Sequence, residues 1–166
     1  MILVVVDDLA SAEADAILRP ADESLGPVSP ATTRLDQRAG PRFAEQRRLT
    51  TPLKAGAAVV TGSGDLKAPL VLHTIIRDPD AAVTRDTVRR ALVSAWQRAT
   101  DWELRVIAAP LVGTGAGAGG LSLEEAATLL AETFPTTESG CPSALRIVVE
   151  QDSDRELVEA IIRRFA

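Results

Sequence analysis

The sequence predicts a three-layer α/β/α domain built on a central mixed sheet of about six strands. Three observations carry that expectation. Six short apolar runs, rich in Val and Ile, are bounded by Gly, Pro, Asp or Ser. Their hydrophobicity is continuous rather than alternating, which means burial on both faces and a sheet held between helices. The chain ends strand–helix–strand–helix, the pattern of parallel strands joined by right-handed crossovers.

The strands are expected at Ile2–Val6, Ala14–Leu18, Ala57–Thr61, Leu70–Ile76, Leu104–Ala109 and Leu145–Glu150. The segment from Pro20 to Pro30 holds three prolines and one glycine and reads as an irregular loop. Thr32 to Arg48 reads as a weak helical stretch, broken in two at Gly40–Pro41. From Thr84 to Ala99, Val88, Ala91, Leu92, Ala95, Trp96 and Ala99 recur at helical spacing and form one apolar stripe. A further helix starts at Ser122, where Ser122 and Glu125 have the spacing of a capping box. Ser153 and Glu156 repeat that spacing for the last helix, with Leu157, Ile161, Ile162 and Phe165 expected inward.

With 166 residues and 17.5 kDa, the chain fits one domain over 1–166. The scaling of area with mass has it hide about 69% of its unfolded surface, enough for a core without staples. One cysteine, Cys141, and one histidine, His73, exclude a disulfide framework and Cys- or His-based metal clusters. No metal and no cofactor is expected. The net charge of −5 is a poor footprint for nucleic acid. No apolar run approaches the ~18 residues of a membrane span, and the short apolar start lacks a basic leader. The expected location is cytoplasmic.

The strongest chemical signal is Pro110-Leu-Val-Gly-Thr-Gly-Ala-Gly-Ala-Gly-Gly120, which leaves a strand and enters a helix. Five glycines and two alanines strip this loop of side chains. A backbone so bared approaches a ligand closely and turns its N–H groups inward, and before a helix N-terminus its natural guest is a phosphate or diphosphate. The plain alternative is a connection without a ligand. Gly115-x-Gly117-x-x-Gly120 also matches a dinucleotide fingerprint, a weak signal that alone would suggest a nicotinamide-dependent enzyme.

Taken with Val6-Asp-Asp-Leu-Ala10, Asp15-Ala-Ile-Leu-Arg-Pro-Ala-Asp22, Gly56-Ala-Ala-Val-Val-Thr-Gly62, Leu72-His-Thr74 and Leu123-Glu-Glu-Ala-Ala127, the loop makes the chain resemble a macro domain over essentially its full length. The macro domain is an ADP-ribose-binding module, so the resemblance implies ADP-ribose or a related nucleotide as ligand. Asp8 matches the family's acceptor for the adenine amino group, with Leu9 beside it; a charged turn residue is the alternative. Val112, Gly113, Thr114, Gly115, Ala116 and Gly117 match the loop around the diphosphate and distal ribose. His73 matches a mid-strand position and is expected to be a buried, hydrogen-bonded structural residue. Glu124 and Glu125 match the helix opening, where carboxylates at a helix N-terminus suffice as an explanation.

The chain also departs from that family. The Asn-Ala-Ala-Asn run is Arg19-Pro-Ala-Asp22, and the sequence contains no asparagine. Asp22 stands where the last Asn helps place the distal ribose, and becomes the one candidate for a substitute acid or base; a loop aspartate bonded to nearby amides is the alternative. The family's first glycine-rich loop is Gly26-Pro-Val-Ser-Pro-Ala-Thr-Thr33, with Thr32 near the catalytic acid's position and two prolines that lack amide donors. The aromatic residues that line the family's ribose and adenine ends are missing too. Three functions follow as expectations: weak nucleotide binding, hydrolysis of an ADP-ribosyl or O-acetyl-ADP-ribose bond through Asp22, or a non-catalytic, oligomeric scaffold. Whether Arg19 and Arg34 point into the cleft is open at this level.

Overall fold

A computed structural model of the chain describes residues 1–115, 119–136 and 140–166. Six strands, β1 (Ile2–Val6), β2 (Ala16–Ala21), β3 (Ala58–Gly62), β4 (Leu70–Ile75), β5 (Val106–Ala109) and β6 (Ala144–Val149), form one sheet in the order β1-β6-β5-β2-β4-β3. All neighbours are parallel except β3 and β4, which makes the sheet mixed. The helices are α1 (Pro30–Ala39), α2 (Pro41–Gln46), α3 (Arg85–Asp101), α4 (Leu123–Thr133) and α5 (Asp152–Ile162).

Period-two alternation along each strand divides the core between two faces. Ala16, Leu18, Leu72, Ile107, Leu145 and Ile147 pack with α3, α4 and α5; Val88, Ala91, Leu92, Ala95, Trp96 and Ala99 of α3 are all buried there. Ile17 and Val71 point to the opposite face and meet Leu35 of α1 and Phe43 of α2. Every residue of β2 is buried, as expected of a strand in the middle of a covered sheet.

Three details correct the sequence expectations. β2 continues through Arg19 and Pro20 to Ala21, so the irregular segment starts later than Pro20. A proline survives there because of the direction its nitrogen takes. The Ala21 carbonyl accepts from Ile76 N at 3.0 Å, on the β4 side. Alternation of backbone groups then turns the Pro20 nitrogen toward β5, whose register with β2 covers only Ala16↔Ile107 and Ile17↔Ala108. The second correction is the start of α5. Its N-cap is Gln151, without a side-chain cap bond, and Ser153 lies inside the helix. The third is the face of α5: Val158 and Ile161 are buried, while Leu157 is 57% and Phe165 43% exposed. The stripe is centred on Val158, which rotates Leu157 to its flank. By contrast, Ser122 and Glu125 do form the reciprocal capping box.

Candidate nucleotide-binding cleft

From β2 the chain moves to the β4–β3 side of the sheet; from β5 it moves to β6. The carboxyl ends of β2 and β5 therefore flank a topological switch point, where α/β sheets open a crevice. A cleft of about 800 Å³ lies there. Pro20 and Pro110, at the ends of these two strands, both line it.

One wall is the turn after β5. Gly113 and Gly115 have φ of +92° and +94°, a region open to glycine. A Cβ on Gly113 would lie 2.6 Å from Leu121 Cδ1. The turn is closed by Leu121 N donating to Gly113 O at 3.1 Å and by Thr114 Oγ1 donating to Leu111 O at 2.7 Å. Gly113, Thr114 and Gly115 line the cleft, whereas Val112, 1% exposed, belongs to the core beneath it. Ala116 and Gly117 lie outside the described residues.

The opposite wall is α1. Ser29 caps its N-terminus, accepting from Thr32 N at 3.2 Å, and the Ser29 and Thr32 hydroxyls are 3.0 Å apart. Ser29, Pro30, Ala31 and Thr32 face the glycine turn, and a Cβ on Gly115 would stand 4.0 Å from Ser29 Cβ. Pro30 at the first helical position lacks an amide, and the Thr32 amide is taken by Ser29. The positive end of the helix and the Ala31 amide remain for an anion.

The far end of the cleft is charged. Asp7, Asp8, Leu9, Glu150 and Asp154 gather after β1 and β6, facing Arg34 and Arg38 of α1. Asp8 Oδ1 accepts from Ala10 N at 3.2 Å, and its Oδ2 accepts from Arg38 Nη1 at 2.6 Å. Arg34 Nη2 reaches Glu150 Oε1 at 3.3 Å.

Asp22 is not among the lining residues. Its Oδ1 accepts from Ser24 N at 2.9 Å and Gly26 N at 2.8 Å, holding the turn that follows β2. Arg19 also stays out of the cleft. It is fully buried, and its Nε and Nη2 donate to Asp36 of α1 at 2.8 and 2.7 Å. Its Nη1 lies 3.2 Å from His73 Nδ1. A guanidinium only donates, so Nδ1 accepts and the His73 proton sits on Nε2, which donates to Thr61 Oγ1 at 2.7 Å. Thr61 in turn donates to Gly62 O. His73 is thus a buried, hydrogen-bonded histidine. Burial first, then the Arg19 and Arg47 cations, holds it well below its usual 6.5 and therefore neutral. Sequence reading missed the Arg19–Asp36 pair, because it ended the strand at Leu18 and left Arg19 outside it.

Among the described residues no cluster of His, Cys, Asp and Glu is placed to hold a metal ion, and no helix is long and apolar enough to cross a membrane.

The fold is thus an α/β one whose mixed sheet has a crevice at its switch point, walled by a glycine turn and a helix N-terminus, two features whose exposed amides suit an anion. The family model of the macro domain matches residues 20–130, and the chain belongs to the macro domain family. A protein of Aquifex aeolicus is 31% identical over 96% of this chain and 94% of its own length. A macro domain-containing protein of Streptomyces coelicolor is 32% identical over 83% of this chain and 85% of its own. A Mycobacterium tuberculosis relative is 24% identical over 94% of this chain, which spans only 43% of that protein. Among solved structures, the Trypanosoma brucei macrodomain in complex with ADP superposes with a TM-score of 0.81 at 22% identity, over 97% of this chain and 68% of that one. An Oceanobacillus iheyensis macrodomain variant with ADP-ribose gives 0.80 at 19% identity, covering 97% and 91%.

Proposed function

We propose that this chain is a single macro domain that binds ADP-ribose, or a closely related nucleotide diphosphate, weakly and without hydrolysing it. The observation that carries the reading is the cleft itself: about 800 Å³ in all, running from the Gly113–Gly115 turn and the N-terminus of α1 to Asp8 and Glu150. Relatives of the same fold are described with ADP and with ADP-ribose, which supports the ligand class. In this reading the backbone of the glycine turn and the Ala31 amide hold the diphosphate. Asp8 and its neighbours accept from the nucleoside. The weakness follows from Pro30, which presents no amide, and from the want of an aromatic ring among the described lining residues. No observation favours Asp22 as an acid or base: it does not line the cleft, and its Oδ1 accepts from the Ser24 and Gly26 amides of the turn after β2. A cytoplasmic location belongs to the same reading.

Titration calorimetry with ADP-ribose up to millimolar concentration, paired with thermal shift, tests it. Saturable heat and a rise in Tm are expected, because a ligand that binds only the folded state stabilises it by mass action. No heat and no shift at millimolar ligand would reject it.

A further inference from the structure

The cleft has no aromatic ring among its described lining residues, yet a bound base needs a surface to lie on. The chain's aromatic side chains are spent elsewhere. Phe43 lies beneath Arg19 and Arg47, Trp96 and Phe134 meet edge-on at 5.2 Å in the core, and Trp102 and Phe165 are exposed outside the cleft. Gly113–Gly115, Ser29–Thr32 and, further along α1, Arg34 all line the one cleft, so a diphosphate seated at the glycine turn would leave the α1 wall to the nucleoside. Of the two guanidinium groups on that wall, Arg34 lies one turn from the helix N-terminus and Arg38 two turns.

Arg34 is suited to the task by how it is held. Its side chain is 59% exposed, and one nitrogen reaches across the cleft to Glu150 at 3.3 Å. A guanidinium gripped at its edge keeps its face free, and that face stacks on flat π systems. This protein already sets guanidinium groups over an aromatic ring: Cζ of Arg19 and of Arg47 lie 5.6 and 5.5 Å from the Phe43 centroid. Arg38, one turn further along α1, is tied at two nitrogens to Asp8 and Ser11, which leaves Arg34 the freer of the two.

The geometry points to Arg34 as the platform on which the ligand's purine base stacks, with Glu150 as the positioning residue that holds the guanidinium in place. This rests on the nucleotide reading above. It makes base recognition here a matter of cation–π contact rather than aromatic stacking.

The test titrates ADP-ribose, and separately base-free ribose 5-phosphate, into the native chain and the variants Arg34→Ala, Arg34→Lys and Arg34→Tyr. Arg34→Ala is expected to weaken ADP-ribose by about five-fold or more, the lower end of base-stacking losses, and to leave ribose 5-phosphate unchanged. Arg34→Tyr restores the affinity because it restores a plane; Arg34→Lys does not, although it keeps the charge. Rescue by Lys and not by Tyr, or equal losses for both ligands, assigns Arg34 to phosphate charge and overturns the proposal. An Arg34→Ala variant with native affinity overturns it as well. Failure of the native chain to bind ADP-ribose at all removes the nucleotide reading and this inference together, a result that no variant is needed to recognise.

Discussion

Arg19 shows what a single residue does to this fold. A fully buried cation is tolerated only when paired and hydrogen-bonded, and Asp36 supplies both with a two-pronged grip. Because Asp36 sits on α1, the pair fixes the helix that forms one wall of the cleft against the central strand. Removing one partner of such a pair leaves the other buried and uncompensated, a loss of roughly 3–5 kcal/mol. His73 completes the network and ties stability to pH. Its proton affinity in the folded chain is depressed, so between that depressed value and 6.5 the unfolded chain binds more protons. Stability therefore rises with pH through this window and is lost as pH falls below 6.5, by up to about 1.4 kcal/mol per unit. Glu13, drawn below 4.5 by Lys67, and Asp78, drawn below 3.8 by the Ala55 and Asp80 amides, act only in stronger acid. Urea midpoints measured from pH 5 to 8 should show the slope, and His73→Gln should flatten it. The histidine's burial was legible from its place in an apolar strand. The role of Arg19 was not, since its partners lie 17 and 54 residues away in the sequence.

At the scale of elements, the strands, the α3 stripe and the α4 capping box were legible because each depends on neighbours a few residues apart. The details that escaped depend on tertiary context: how far β2 runs past a proline, and which side of α5 meets β1. Composition marked the glycine-rich turn, but only the structure shows why Gly113 in particular is needed. With φ at +92° and Leu121 2.6 Å from an added Cβ, Gly113→Ala is strained in backbone and crowded in side chain. The expected cost is about 1–3 kcal/mol of stability. The displaced turn should also lower ADP-ribose affinity by about ten-fold, measured by calorimetry on variant protein shown to be folded by circular dichroism.

The whole molecule consists of two half-sheets, β1-β6-β5 and β2-β4-β3, joined along a short seam. The cleft walls belong to different halves: the glycine turn follows β5, and α1 follows β2 and is pinned to it by Arg19. A ligand held by both walls bridges the halves. Hydrogen exchange with saturating ADP-ribose should accordingly slow at residues 113–115 and 29–34 together. Protection of one segment alone would mean that the ligand touches a single wall. This division into halves was legible only as a list of strands, because strand order is settled by packing between distant segments.

Pro20 stands where that division opens. Two adjacent parallel strands ordinarily zip together as far as their lengths allow, and each further rung would draw the sheet shut beneath the cavity. Here the fastening stops after two registered pairs. The next group on the inner strand that faces its neighbour carries no hydrogen to give, and the neighbour itself runs out into Pro110. Neither ring has a stitch to add beyond those pairs, so the fastening ends where the vestibule opens, and both rings form part of its floor.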